Sequence, residues 1–288
     1  MATAKANGIE LEYDVLGDPA DPAMLLIMGL GAQLTDWPQE FCERLAGRGF
    51  RVIRFDNRDS GLSGGLDELG VPDLKALAGG DTRTVPYLLA DMAADAAGLL
   101  DALEVERAHV VGVSLGGMIA QQLALDFPGR VRSLCSIMST TGDRAVGRPT
   151  PEAAALLARP AAPSRDDAIA NAVAVSRTIG SPGFPGDPDE LLRRATAKVD
   201  RAYRPAGTAR QYAAILASPD RTARLAEVRV PTVVIHGAED PLIEVSGGRA
   251  TAAAISGAEL LVVPGMGHDL PEAAWPRILD AISRTAHS

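Results

Sequence analysis

Five consecutive residues, Gly112-Val113-Ser114-Leu115-Gly116, carry the clearest chemical signal in the chain. A serine flanked two positions away by glycine on both sides suits a tight, strained turn that holds its Oγ above the neighbouring backbone. Gly112, Gly116 and Gly117 lack the Cβ that would keep a strand and a helix apart there. Val110-Val111 reads as the end of a strand and residues 117–125 as a helix, so the turn has the flanks this chemistry requires. The start of that helix points its positive end at the serine and favours a developing anion. The plainer alternative is a glycine-rich turn in which Ser114 only caps the helix.

A serine hydroxyl is a weak nucleophile until a base takes its proton. The chain offers four histidines: His109, His236, His268 and His287. His287 is penultimate, where chains fray. His109 precedes the serine's strand and belongs at the far end of the sheet. His236 closes a strand and reads as a strand-end residue with a satisfied ring. His268 lies in Pro264-Gly265-Met266-Gly267-His268, a loop directly after the last strand, and is the expected base. The base needs a carboxylate to fix its tautomer and balance its charge. Asp240, in Gly237-Ala238-Glu239-Asp240-Pro241, is favoured. Glu239 beside it and Asp143, one strand earlier, are its rivals.

Cleaving an ester also needs N–H groups aimed at the tetrahedral oxygen. The Leu115 amide is one expected donor. The other is the Leu30 amide in Met28-Gly29-Leu30-Gly31-Ala32-Gln33, where glycines permit close approach. These residues predict a serine hydrolase acting on carboxylic esters through an acyl-enzyme.

Such residues can meet only if a sheet brings them to one edge. Strand-like segments are read at 9–16, 23–28, 51–55, 109–113, 131–138, 232–236 and 260–263, and helix-like ones at 37–48, 85–103, 117–125 and 271–286. The alternation predicts an α/β fold with a mostly parallel sheet covered by helices on both faces. Residues 141–228 carry no convincing strand. Helices are read there at 151–157, 165–179, 188–203 and 208–216. The expected organisation is a core of 1–140 and 229–288 with a helical cap, or lid, of 141–228, since so long a structureless loop is implausible. A pocket between cap and loops would place Met28, Leu30, Leu115, Met138 and Met266 near its centre. Phe184, Tyr203 and Tyr212 would line it from the cap, though each could equally be ordinary core.

The bulk properties exclude several classes. A net charge of −9 repels nucleic acid and anionic membranes. Apolar residues make up 47% of the 288, enough for a large core, so disorder is not expected. No run of about 18 apolar residues occurs, and residues 1–8 lack a secretion signal, so no integral membrane segment and a cytoplasmic location are expected. Cys42 and Cys135 read as buried thiols. No ligand-spaced His/Cys/Asp cluster and no G-x-G-x-x-G after a strand is present, so no cofactor or metal is expected.

In order along the chain, the Gly29–Gly31 loop, Asp56-Asn57-Arg58-Asp59-Ser60-Gly61, the GVSLGG elbow, His236-Gly237-Ala238-Glu239-Asp240 and Gly265-Met266-Gly267-His268 resemble the α/β-hydrolase superfamily. The order Ser114, Asp240, His268 is the order of that superfamily. More narrowly, residues 26–33 and 54–63 resemble actinobacterial esterase/lipases of the LipG type and, more distantly, aclacinomycin methylesterase-like hydrolases. The resemblance implies the same triad, no cofactor, and structural roles for Asp56 and Arg58 as a charged pair fixing their loop. Many members carry histidine before the oxyanion glycine. Here Met28 takes that place, so the loop must be held differently. Related chemistries on the same machinery are lactone, thioester or polyketide methyl ester hydrolysis, and cofactor-free haloperoxidase or perhydrolase activity. A ligand-binding protein without catalysis is the alternative of another class. Dehalogenase and epoxide hydrolase readings fall because the elbow carries serine, not aspartate.

Overall fold

In the computed structural model, which describes residues 1–157 and 159–288, two antiparallel strands open the chain: β1 (Ala2–Ala6) and β2 (Ile9–Leu16). The sequence reading missed β1. Its alternation of alanine with Thr3 and Lys5 carries little apolar signal, and pairing with β2 is what defines it. Then follow β3 (Ala23–Ile27), α1 (Gln39–Ala46), β4 (Arg51–Phe55), α2 (Leu74–Ala78), α3 (Leu89–Ala102), β5 (Ala108–Val113), α4 (Leu115–Asp126) and β6 (Val131–Ile137). Helices α5 (Pro151–Leu157), α6 (Arg165–Ile179), α7 (Pro188–Arg201), α8 (Pro205–Ala217) and α9 (Thr222–Leu225) occupy the stretch before β7 (Thr232–Gly237). The chain closes with α10 (Ser246–Ala254), β8 (Glu259–Val263) and α11 (Trp275–His287).

The eight strands form one sheet in the order β1-β2-β4-β3-β5-β6-β7-β8. From β4 to β8 every neighbouring pair is parallel. This is the α/β-hydrolase arrangement expected from the sequence. Side chains alternate across a strand, and β3 shows the consequence. Leu25 and Ile27 join the core under α3 and α4, whereas Met24 and Leu26 join the core under α1 and α11. All five β3 residues are buried, as befits a strand covered on both faces.

Several helices differ from the sequence reading, and the short α2 and α9 went unread. The helix read at 85–103 begins only at Leu89, where the Asp91 carboxylate accepts the Leu88 N–H at 2.8 Å and caps the start. Helix α8 begins three residues early because Pro205 is pre-set for a first turn. Helix α10 went unread, since Gly247 and Gly248 depress helix propensity and packing against β7, β8 and α9 holds it. Both cysteines are free and buried, and burial pushes the Cys42 thiol up to about 11.

Candidate active site

Ser114 has φ 56° and ψ −119°, a left-handed conformation that a non-glycine residue adopts only under constraint. The constraint is visible on both sides. The Ser114 N–H donates to Ile137 O at 2.9 Å, and Ser139 Oγ donates to Ser114 O at 2.8 Å. The glycines are required by contact. A Cβ on Gly112 would stand 2.1 Å from Gly116 O, and one on Gly116 would stand 2.0 Å from Ile27 O. The strand, the turn and the helix therefore close on one another only without side chains.

The three predicted residues meet. His268 Nε2 lies 2.9 Å from Ser114 Oγ, and His268 Nδ1 lies 2.7 Å from Asp240 Oδ2. Ser114, Asp240 and His268 follow β5, β7 and β8 respectively, so one carboxyl edge of the sheet gathers them. Asp240 Oδ1 accepts the amides of Leu242 and Ile243, both at 2.9 Å, which orients the carboxylate. Burial opposes charge on Asp240. The His268 charge and hydrogen bonds from His236, His268 and the Ile243 amide outweigh it and hold the carboxyl well below the usual range. The rivals are engaged elsewhere. Asp143 accepts the Ala145 amide at 2.8 Å, and Glu239 accepts the Gly265 amide at 2.6 Å.

The loop 28–33 lies over the serine. A Cβ on Gly29 would be 3.3 Å from Ser114 Cβ and 3.7 Å from its Oγ. Among the described residues, neither the Leu30 nor the Leu115 N–H has an acceptor. Met28 O accepts from Asn57 Nδ2 at 2.9 Å, which supplies one of the supports expected in place of a histidine.

The remaining expectations divide. Met28, Leu115, Met138 and Met266 are buried, and Met138 takes a left-handed φ of 42° directly after β6. Phe184 packs over Gly265 and is half-buried, as is Tyr212. Tyr203 departs from the expected lining role: it is exposed, and its hydroxyl accepts the Ala162 amide at 2.7 Å. Asp56 and Arg58 do not pair with each other, which corrects the expected charged pair. Asp56 pairs with Arg201 at 2.8 Å, and Arg58 grips Asp95 at 2.5 and 2.6 Å. The two partners, Arg201 and Asp95, lie on distant segments, where local spacing gives no sign of them. His236 is only half satisfied. Its Nε2 contacts Ile243 O at 2.7 Å, but its buried Nδ1 has no partner. Sequence reasoning also missed Ser181, whose Oγ accepts the Gly267 amide at 2.9 Å, and Ile179, whose carbonyl accepts the His268 amide at 2.7 Å.

A family model described as alpha/beta hydrolase fold matches residues 22–272. The chain belongs to this family. Within it, rhodomycin D methylesterase DauP of Streptomyces sp. (strain C5) is 33% identical over 298 residues, covering 95% of this chain and 94% of that protein. Rhodomycin D methylesterase DnrP of Streptomyces peucetius is 32% identical, with the same coverage of 95% and 94%. Among solved structures, the esterase RhEst1 from Rhodococcus sp. ECU1013 superposes with a TM-score of 0.79 at 20% identity, covering 100% of this chain and 98% of that one. At that identity the likeness speaks for the α/β-hydrolase fold alone. Among the described residues no helix of this α/β hydrolase is long and apolar enough to cross a membrane.

Proposed function

We propose that the protein hydrolyses carboxylic esters, with Ser114 as nucleophile, His268 as general base and acid, and Asp240 as the group that orients and stabilises the imidazolium. The observation that carries this reading is the unbroken relay from Ser114 Oγ through both ring nitrogens of His268 to Asp240, at 2.9 and 2.7 Å. His268 Nε2 takes the proton as Ser114 Oγ adds to the ester carbonyl. The Leu30 and Leu115 N–H groups receive the oxyanion. Collapse breaks the bond to the alcohol, which leaves with the proton from His268. Water, deprotonated by His268, then attacks the acyl-serine, and the second collapse returns Ser114 and frees the acid.

The division of labour is part of the proposal. Residues 1–140 and 229–288 form the catalytic core, and 141–228 form a cap over the carboxyl edge of the sheet. Backbone contacts from Ile179 and Gly183 to the histidine loop support that placement. The kinship with DauP and DnrP supports a methyl ester of a bulky acid as the narrower substrate class. The two free, buried thiols agree with a cytoplasmic location.

A fluorophosphonate probe and an ester panel test this reading. The panel pairs p-nitrophenyl esters of increasing acyl length with methyl esters of aromatic polycyclic acids. The probe should label Ser114 alone, and Ser114→Ala should lose both label and turnover. Turnover that survives Ser114→Ala, or an adduct on another residue, overturns the assignment.

A further inference from the structure

The loop that carries the Leu30 amide is fastened from above by the cap as well as from below by the core. We propose that Gln211, on α8, is a positioning residue that holds this loop in its working shape, so that the cap helps to build the oxyanion site. The inference rests on the hydrolase reading given above.

Gln211 is fully buried. Its Oε1 accepts the Gly31 N–H at 2.8 Å, and its Nε2 donates to Arg58 O at 2.7 Å. Chemistry fixes the orientation of this amide: a backbone N–H can only donate and a carbonyl can only accept. Gly31 stands at φ 60°, and a Cβ there would meet Thr208 Oγ1, also on α8, at 2.7 Å. The loop thus needs glycine beneath α8, and glycine brings conformational freedom that something must remove. At the loop's other end, Gln33 Nε2 donates to the carbonyls of Lys198 and Ala202 at 2.9 and 2.8 Å. Its Oε1 accepts from Arg201 Nη1 at 2.7 Å. From the core, Asn57 holds Met28 O, and Ser60 Oγ donates to Ala32 O.

These contacts engage Met28 O, the Gly31 N–H and Ala32 O, on either side of Leu30, and leave the Leu30 N–H free. The Gly31 N–H is the neighbour most able to compete for the oxyanion or to turn the loop, and Gln211 occupies it. Replacing Gln211 by an apolar side chain leaves the half-buried Gly31 N–H and the buried Arg58 carbonyl without their partners. The loop then gains by rotating to satisfy them, and Leu30 moves with it. A donor that is displaced rather than deleted should cost less than the hundredfold to thousandfold typical of deletion.

The experiment compares wild type with Gln211→Met, which is close in volume and has no comparable donor or acceptor. It measures p-nitrophenyl butyrate kinetics, inhibition by an alkyl trifluoromethyl ketone, and hydrogen exchange at the Gly31 amide. The ketone adds to Ser114 Oγ and sets an oxyanion against the loop, so it reads the site directly. In a folded Gln211→Met we expect kcat to fall about tenfold to a hundredfold and KM to stay within about threefold. Ketone affinity should fall by the same factor as kcat/KM, and Gly31 should lose exchange protection. Arg165→Gln, which cuts an exposed ion pair to Asp200 inside the cap, should leave all three readings unchanged. Unchanged kcat and ketone affinity in folded Gln211→Met would overturn the proposal, as would a rise in KM alone. If that variant does not fold, Gln211→Asn replaces it with the same expectations. Rapid exchange of Gly31 in the wild type would also overturn the proposal. Failure of the hydrolase reading looks different: Ser114→Ala keeps its turnover, while Gly31 exchange still reports whether Gln211 holds the loop.

Discussion

His236 Nε2 lies 3.5 Å from Asp240 Oδ2, the same oxygen that His268 Nδ1 binds at 2.7 Å. Asp240 therefore sits between two imidazoles, one facing Ser114 and one buried behind it. The nearest partner of His236 Nε2 is the Ile243 carbonyl, which can only accept, so that nitrogen carries the proton. Its N–H dipole faces the carboxylate edge and helps to keep Asp240 ionised. His236→Leu should therefore lower kcat by about tenfold or less, since it removes a support of the acid and leaves the acid itself in place. Steady-state kinetics decide this, and an unchanged kcat would reduce His236 to packing.

Asp240→Asn should lower kcat by about a thousandfold to ten-thousandfold, because the imidazole loses both its tautomer and its counter-charge. Asp143→Asn and Glu239→Gln should stay within about threefold of wild type, since each carboxylate is taken by a backbone amide, Ala145 and Gly265 respectively, rather than by the His268 ring. Parallel kinetics on the three variants separate the candidates. A collapse in Asp143→Asn alone would transfer the role of acid to that residue.

Gly116→Ala should cost about 3 kcal/mol of stability or more, because the added methyl would sit 2.0 Å from a backbone carbonyl that cannot turn aside. The measurement is denaturant unfolding of the variant beside Gly129→Ala, whose added Cβ has nothing within 4 Å. Gly129→Ala should lie within about 1 kcal/mol of wild type.

His109 gives a pH prediction at the opposite end of the sheet. Burial, and then the charges of Arg132 and His287, press it down from 6.5 to about 4. Above 6.5 both folded and unfolded chains hold it neutral. Between 6.5 and 4 the unfolded chain binds the proton more readily, so acidification through that window removes stability. Below about 4 both forms are protonated and the loss is complete. His109→Gln should flatten the fall in stability between pH 6.5 and 4. Side-chain NMR should show the wild-type ring titrating near 4, and titration near 6.5 would refute the account.

Much of this site was legible without coordinates. Ser114, Asp240 and His268 each follow a strand that the apolar pattern announces, and in such sheets the strand ends converge. The glycines at 112, 116 and 117 declared a close approach of strand and helix; Gly112 and Gly116 do face backbone atoms, while Gly117 faces the side chains of Ser139 and Ser136. Helix α6 was readable to the residue and α5 at its start, because serine and proline mark where they begin.

What the sequence by itself determined is therefore the order of the seven strands from β2 to β8, the sheet edge at which the candidate residues lie, and the kinds of group presented there. Tertiary structure alone decided which carboxylate each cation takes, as with Asp56 to Arg201 and Arg58 to Asp95, and which side chain holds the Leu30 loop. The reason is physical. Strand and turn preferences act over a few residues and leave a mark in local spacing. The hydrogen bond from the Gly31 N–H to Gln211 spans 180 positions, and only the packing of α8 over the loops at Gly31 and Arg58 brings donor and acceptor within reach.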